Sequence, residues 1–276
     1  MKSTVRFFAP AVASALLVVL SSCTQSPQSE VTSNSSPAPA DNSTHGSTSA
    51  HNSTSAKNLT GEAKDVDYMS KLGLMKGHLL VAKELLDAQQ PKEAEPHVGH
   101  PVEEIYADVE DQLKERKVPD FKNTLVSLHE FVKSNPKSAK VATNFDQSMQ
   151  AVDQAIETIP EQQRQSPKFV LQVINELLDT ANSEYKAAIA NDKITTEIEY
   201  QDSRGFVNYA DTLYGKIFEQ MAKEHPDAHK AIAASMTKLK TAWPSAQPPA
   251  KPVLSPDEVS EQIKTIEQNA QKVIGS

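Results

Sequence analysis

The sequence predicts an all-α protein: a helical bundle that follows a signal peptide and a disordered tether. Three observations predict the helices. Apolar residues recur at three- and four-residue spacing from residue 62 to residue 243, prolines fall where helices would end, and no stretch alternates apolar and polar residues as a strand would. The 276 residues are 38% hydrophobic and only 5% aromatic, so the core-forming material is modest.

Residues 1–22 have the features of a signal peptide. Lys2 and Arg6 form a charged start, and the apolar run 7–20 is too short to span a bilayer. The run closes with Leu-Ser-Ser-Cys23, which resembles the bacterial lipoprotein box and implies that Cys23 becomes the lipid-modified first residue. Several acyl chains, such as palmitate, anchor a protein stably. We therefore expect a lipoprotein of the bacterial cell envelope, held at a membrane and facing the periplasm or the exterior; the alternative is an ordinary secretory peptide.

Residues 23–61 are predicted to form the tether. Between Thr24 and Asn58 the chain consists mainly of Ser, Thr, Asn, Gln, Pro and Ala, and such a composition buries too little surface to offset the entropy of ordering. His45 and His51 lie in this stretch, and we interpret them as parts of a solvated spacer.

The helical bundle is predicted over residues 62–243, and a Pro-rich strap with a C-terminal amphipathic helix over 244–276. The first helix covers about 62–88 and carries a wide apolar stripe. A loop is predicted over 89–99, followed by a helix that starts at Pro101. The later helices are predicted over 120–134, 138–159, 166–190, from 193 to about 224, over 226–242, and from Ser255 onward.

Two groups of histidines stand out as candidate metal or ligand contacts. His78 follows Gly77 on the inward face of the first helix, where a buried imidazole needs a partner. His97, His100 and Glu103 lie around the predicted start of the second helix, and the spacing of His100 and Glu103 lets both face one ion. The alternatives are a core histidine satisfied by a protein group and ordinary capping of a helix start.

A third group contains Glu199, Asp202 and Arg204. Asp202 shares a helical stripe with apolar residues, so its carboxylate is expected to be buried. An isolated buried carboxylate is costly. We therefore predict a buried polar cluster in which Asp202 pairs with His78, Tyr106 or Arg204.

Three stretches resemble imelysin-type proteins: His78-Leu-Leu-Val-Ala-Lys-Glu-Leu, Glu199-Tyr-Gln-Asp-Ser-Arg-Gly-Phe, and Ser255-Pro-Asp-Glu-Val-x-x-x-Ile-x-x-Ile-Glu. That family consists of exported helical-bundle proteins, often lipoproteins, that are associated with iron acquisition and described as peptidase-like from a Gly-x-His-x-x-Glu motif. Here Gly77 directly precedes His78 and Val81 stands where the glutamate would fall. The resemblance therefore implies a link to iron, and only His78 corresponds to a family site residue.

Composition and missing motifs disfavour most enzyme classes and nucleic-acid binding. The net charge of -8 opposes a phosphate-binding surface, and no glycine-rich phosphate loop is present. One cysteine excludes Cys-rich zinc and redox motifs. His129-Glu130 is followed by Lys133 rather than by a second histidine, and no Gly-x-Ser-x-Gly occurs. Haem ligation by His78 with Met69 or Met75 stays as an alternative.

The sequence thus predicts a membrane-anchored, extracytoplasmic binding module without catalytic residues. Its expected ligand is a metal ion such as iron or a metal-linked protein partner, held by His78, His97, His100 and Glu103. Two alternatives remain: a structural or assembly lipoprotein without a ligand, and a tetratricopeptide-like interaction module.

Overall fold

The computed structural model describes residues 59–276. The predicted signal peptide, Cys23, and the tether histidines His45 and His51 lie outside the described residues. The described chain is α-helical apart from one small hairpin, which confirms the all-α prediction. Within residues 59–276, no helix combines the length and the hydropathy that a membrane span requires.

Several helices begin with proline at the first position, where the missing N–H has no intrahelical acceptor to lose. In chain order the elements are α1 (Glu62–Asp87), α2 (Pro91–His100), a π-helical turn (Pro101–Ile105), α3 (Tyr106–Glu115), α4 (Lys122–Ser134), α5 (Ala139–Ile156), α6 (Glu161–Arg164), α7 (Pro167–Ala188), β1 (Ile189–Ala190), β2 (Lys193–Ile194), α8 (Glu197–Glu224), α9 (Pro226–Lys240) and α10 (Pro256–Ile274).

The long helices form two sets of four, a C-terminal ring and an N-terminal group. The two sets meet at a seam where α1 packs against α7 and α8. In the C-terminal ring α7 packs on α8, α8 on α9, α9 on α10, and α10 returns to α7. In the N-terminal group α1, α2, α4 and α5 contact one another in the same cyclic manner. Because α1 also packs against α7 and α8, one apolar core runs through both groups.

Two glycines allow α1 and α8 to approach closely. A Cβ atom added at Gly205 would lie 2.3 Å from the carbonyl oxygen of Gly77, and one added at Gly77 would lie 2.5 Å from Cδ1 of Phe206. Side chains at these positions would push the two backbones apart. The glycine contact therefore brings His78, which follows Gly77, close to the first turns of α8.

The predicted loop over 89–99 is wrong, because the structure has helix α2 there. Pro91 occupies the first helical position, and Ala94, His97 and Val98 are buried against neighbouring helices. This burial outweighs the weak helical propensity of a segment rich in histidine and proline. The helix predicted to start at Pro101 is present as a π-helical turn followed by α3, and it continues directly from α2.

The expectation of no strands is wrong at one tight turn between α7 and α8. Ile189 pairs with Ile194 and Ala190 with Lys193 in an antiparallel hairpin. Asn191 and Asp192 connect the strands with φ values of 52° and 57°, a left-handed conformation that both residue types tolerate. The hairpin reverses the chain so that α8 packs along α7.

The Pro-rich strap between α9 and α10 is docked on the bundle. Tyr185 donates a hydrogen bond to the carbonyl of Leu254 at 2.7 Å, and Tyr200 donates one to the carbonyl of Ser245 at 3.3 Å. Helix α10 then starts with a capping box formed by Ser255 and Glu258, and it packs against α7 and α9.

Candidate metal centre

Four side chains from three helices converge at the seam between the two helix groups. They are His78 of α1, His97 and His100 of α2, and Asp202 of α8, and each offers a ligand atom within 4.8 Å of those of the other three. His78 and Asp202 are buried and His97 is fully buried, whereas the side chain of His100 keeps 12% of its surface exposed. The group is therefore open to solvent at His100.

The carboxylate of Asp202 is the centre of this group. Its Oδ1 lies 2.7 Å from Nδ1 of His78 and 2.7 Å from Nδ1 of His97. Its Oδ2 lies 3.3 Å from Nδ1 of His100, an ion-pair distance. The three imidazoles thus face one buried carboxylate.

Local sequence explains how each helix presents its ligands. His97 and His100 are three residues apart on α2, so they share one helical face. Asp202 lies in the second turn of α8 among buried residues, on the face that meets α1. The contact of Gly77 with Gly205 then sets the distance between α1 and α8 at the level of the cluster.

The side chains of the group differ in their protonation state at pH 7. Burial lowers the pKa of His78 to about 4, an effect that Asp202 only partly offsets, so His78 is neutral at pH 7. Burial also opposes the charge on His100, but Asp202 and the nearby Glu104 and Glu103 raise its pKa to about 9. Although burial alone would raise the pKa of Asp202, the facing histidines hold it well below its ordinary value. The group therefore contains an anionic Asp202, a neutral His78 and an exchangeable proton on His100.

Both ring nitrogens of His97 lie within hydrogen-bond distance of an oxygen atom. Its Nε2 lies 2.7 Å from Oε1 of Gln201, while its Nδ1 faces Asp202. The amide nitrogen of Gln201 donates to Glu93 and to the carbonyl of Ala246, each at 3.3 Å, so the amide oxygen must point to His97. A neutral imidazole has one N–H and cannot donate to both acceptors. A metal ion between Nδ1 and Asp202 would leave the N–H on Nε2 for Gln201.

Two further ring nitrogens in the group have no hydrogen-bond partner. Nε2 of His78 and Nδ1 of His100 are both buried atoms without one. Buried polar atoms are nearly always satisfied in proteins, so such exceptions require an explanation. Neutral His78 offers a ring nitrogen with a free lone pair, and His100 would offer one once it loses its proton. Imidazole nitrogens beside a buried carboxylate are the donor set of a transition-metal site.

The structure brings three of the four predicted metal ligands together and separates the fourth from them. It brings His78, His97 and His100 together and adds Asp202, which the sequence analysis assigned to a polar cluster. It does not bring Glu103 into the group: that side chain is largely exposed, and its Oε1 lies 3.6 Å from Nδ1 of His129 on α4. Glu103 lies within the π-helical turn, whose wider winding rotates it off the face that His97 and His100 share on α2.

The predicted partners of Asp202 are correct only for His78. Tyr106 donates its hydroxyl proton to Asp120, which lies in the turn before α4, at 2.7 Å. Arg204 forms a two-point ion pair with Glu84 of α1 and also donates to the carbonyl of Trp243. Glu199 is not in the cluster, and its buried Oε2 has no hydrogen-bond partner.

Gln201 is the site residue that the sequence analysis missed. It lies beside Asp202 in the chain, yet adjacent helical residues point in different directions, and nothing in the local pattern assigns a role to a glutamine. Only the packing of α8 against α2 and the strap shows that Gln201 links His97 to Ala246.

The fold and the cluster define an all-α protein with a buried group of three histidines and one aspartate. Residues 160–276 match the family described as the iron permease-associated 4-helix bundle domain, a stretch that contains the C-terminal ring α7–α10. The match links this part of the chain to iron-associated helical proteins. Asp202 and Gln201 lie inside the matched stretch, and the three histidines precede it. No curated protein and no solved structure matches the chain. The imelysin-type resemblance stays a prediction.

Proposed function

We propose that the protein is a lipid-anchored, extracytoplasmic binding protein that holds Fe²⁺ at His78, His97, His100 and Asp202 as part of iron uptake. The observation that carries the proposal is the convergence of three imidazoles on one buried carboxylate. A purely structural ion pair would need one histidine beside Asp202, not three.

The ligand types favour a divalent transition metal. Imidazole suits Fe, Zn, Cu and Ni, whereas Mg²⁺ and Ca²⁺ prefer all-oxygen sites. The four side chains would hold the ion, and Gln201 would orient His97 through its other ring nitrogen. Such partners outside the ligand set fix the tautomer of a ligating histidine.

Charge balance supports the same ligand. The apo cluster holds a positive charge as the proton on His100. A divalent ion would displace this proton and face one carboxylate and three neutral imidazoles. Uptake of the ion then releases a proton, so the apparent affinity rises with pH as far as about pH 9.

The choice of iron rests on the family to which the C-terminal ring is similar, since that family is described as associated with an iron permease. Ligand chemistry alone does not select iron, because Cu²⁺ and Zn²⁺ bind such nitrogen sites more tightly than Fe²⁺. The ion carried in the cell is then set by supply and by the protein partner. The lipoprotein box at Cys23 and the tether support a location outside the cytoplasm, near such a partner.

Thermal unfolding of the full-length chain tests the proposal. Metal-free protein is unfolded anaerobically with Fe²⁺, Zn²⁺, Mn²⁺ or Mg²⁺. An ion at 100 times its dissociation constant stabilises the native state by about 2.7 kcal/mol, so Fe²⁺ and Zn²⁺ should raise the melting temperature and Mg²⁺ should not. Asp202→Asn and His97→Ala should abolish the shift.

The matched control is His225→Ala. His225 lies at the far end of α8, 23 residues from Asp202 and thus about 35 Å along the helix. This variant should keep the full response. If no transition-metal ion shifts the melting of the wild type, the group is a structural ion-pair cluster and the protein is an assembly or scaffold lipoprotein.

A further inference from the structure

The strap between α9 and α10 is tied to the turn of α8 that carries Asp202. Residues 241–255 contain neither helix nor strand, so side chains of other segments satisfy several of their backbone polar groups. Three strap carbonyls accept hydrogen bonds from side chains within two residues of Asp202: that of Ser245 from Tyr200, that of Ala246 from Gln201 and that of Trp243 from Arg204. The strap is therefore fastened beside one of the four proposed ligands.

Ala246 holds the strap against α1 and α2. It is 3% exposed and packs against apolar side chains of both helices. Its N–H donates a hydrogen bond to Oε1 of Glu84 on α1 at 3.0 Å. The carbonyl that Gln201 contacts is therefore fixed both by packing and by hydrogen bonding.

Glu93 of α2 joins the strap to Gln201. Its Oε2 accepts a hydrogen bond from Nε2 of Gln201 at 3.3 Å and another from the side-chain amide of Gln247. Nε2 of Gln201 thus faces two groups that can only accept, the carboxylate of Glu93 and the carbonyl of Ala246. A flipped amide would set its oxygen against both of these oxygen atoms. The two acceptors therefore hold Oε1 of Gln201 at its place 2.7 Å from Nε2 of His97.

We propose that Glu93 and the docked strap are positioning elements of the metal centre: they fix Gln201, and Gln201 selects Nδ1 of His97 as the nitrogen that binds the ion. An imidazole whose Nε2–H is held by an acceptor keeps its lone pair at Nδ1, and this atom faces Asp202. By linkage, a docked strap that raises the metal affinity is itself stabilised by the ion to the same extent. The inference rests on the proposed function of the buried cluster.

Titration of full-length, metal-free protein with Co²⁺, followed by its visible absorption, tests the role of Glu93. Glu93→Met removes the acceptor, so the dissociation constant should rise by at least about tenfold. Glu93→Gln removes the charge but keeps an acceptor oxygen, so it should stay within about threefold of the wild type. If Glu93→Gln weakens binding as much as Glu93→Met, the effect comes from charge alone and the positioning role is overturned.

Tyr185→Phe is the matched control for the strap. It removes the hydrogen bond to the carbonyl of Leu254, at the other end of the strap, and leaves the contacts of Glu93 and Ala246 in place. Its dissociation constant for Co²⁺ should equal that of the wild type. An increase as large as that of Glu93→Met would mean that any loosening of the strap weakens binding, which overturns the specific role of Glu93.

Nuclear magnetic resonance shows which ring nitrogen of His97 binds the ion. In Zn²⁺-loaded protein with ¹⁵N-labelled histidine, long-range ¹H–¹⁵N spectra distinguish a protonated ring nitrogen from one bound to metal. We expect the proton on Nε2 and the ion on Nδ1. Ligation through Nε2 in the wild type would overturn the inference, although the ion would still be bound as the proposed function requires.

Amide hydrogen exchange measures the reciprocal effect of the ion on the strap. The N–H of Ala246 is hydrogen-bonded to Glu84, so its exchange reports opening of the strap. Zn²⁺ should slow this exchange by about tenfold in the wild type and not in Glu93→Met. If Zn²⁺ binds and leaves the exchange unchanged in the wild type, the coupling is overturned and the proposed function stands. If the wild type binds neither Co²⁺ nor Zn²⁺, the proposed function fails and this inference falls with it.

Discussion

Asp202 of α8 and His97 of α2 are 105 residues apart in the chain, and their side chains meet at 2.7 Å between Oδ1 and Nδ1. Both are buried, and Gln201, the neighbour of Asp202, contacts the other nitrogen of the same ring. The contact joins the N-terminal helices to the C-terminal ring through polar groups. Removing either side chain would leave the other buried without its partner, which lowers the free energy of unfolding.

Replacing the carboxylate at the centre should destabilise the metal-free protein. Asp202→Asn leaves the proton of His100 without its buried counter-charge, so we expect the free energy of unfolding at pH 7 to fall by about 3 kcal/mol. Urea denaturation of the full-length chain measures this change. The control is Asp146→Asn on the exposed face of α5, which should stay within about 0.5 kcal/mol of wild type. Equal stability of the two variants would contradict a charged Asp202–His100 pair.

The stability of the metal-free protein should peak near pH 6.5, the ordinary pKa of histidine. Because the pKa of folded His78 is lowered to about 4, the unfolded chain binds that proton first, and stability falls as pH drops from 6.5 towards 4. Because the pKa of folded His100 is raised to about 9, the folded chain keeps that proton longer, and stability falls as pH rises from 6.5 through 9.

Urea denaturation across pH 4–10 measures both slopes. The groups that face His100 are His78, His97 and Asp202 in the cluster, with Glu103 and Glu104 on its own segment. His100→Gln should flatten the alkaline slope and change the acidic one less, because burial is the main cause of the lowered pKa of His78. An alkaline slope that is unchanged in this variant would assign it to another group.

Gln201 should tune metal affinity without binding the ion. Gln201→Met keeps the side-chain volume but removes the acceptor for Nε2 of His97, so we expect the dissociation constant for Co²⁺ to rise between about 10- and 100-fold. Gln112→Met is the matched control, since Gln112 is a buried glutamine that donates to Asp67 on α1. Isothermal titration at fixed pH measures both. A wild-type dissociation constant in Gln201→Met would mean that His97 is oriented without it.

Two glycines on α8 should respond oppositely to alanine. At Gly205 a Cβ would lie 2.3 Å from the backbone oxygen of Gly77, so Gly205→Ala should cost at least about 2 kcal/mol of stability. At Gly215 nothing lies within 4 Å of the added Cβ, so Gly215→Ala should stabilise the helix by up to about 1 kcal/mol. Urea denaturation of both variants tests the close approach of α1 and α8. A neutral Gly205→Ala would show that these helices can separate without loss.

Local pattern was enough to predict the long helices. The spacing of apolar residues marked α1, α4, α5, α7 and α8 within a few residues of their ends, because each helix buries one continuous face. The pattern was insufficient for α2, where the gain comes from burying Ala94, His97 and Val98 against other helices. Burial by distant segments leaves no periodic signal in a stretch of ten residues.

The sequence by itself determined the helical class, and it singled out His78 and Asp202 as polar residues among apolar ones and His97 and His100 as candidate ligands near a helix start. Only the tertiary structure decided that these four share one point, that Glu103 turns outward to His129, and that Tyr106 and Arg204 have other partners. The physical reason is that a helix fixes neighbours three or four residues apart, whereas ligand atoms from α1, α2 and α8 meet only through helix crossings. Those crossings depend on contacts such as Gly77 with Gly205, which the one-dimensional pattern does not encode.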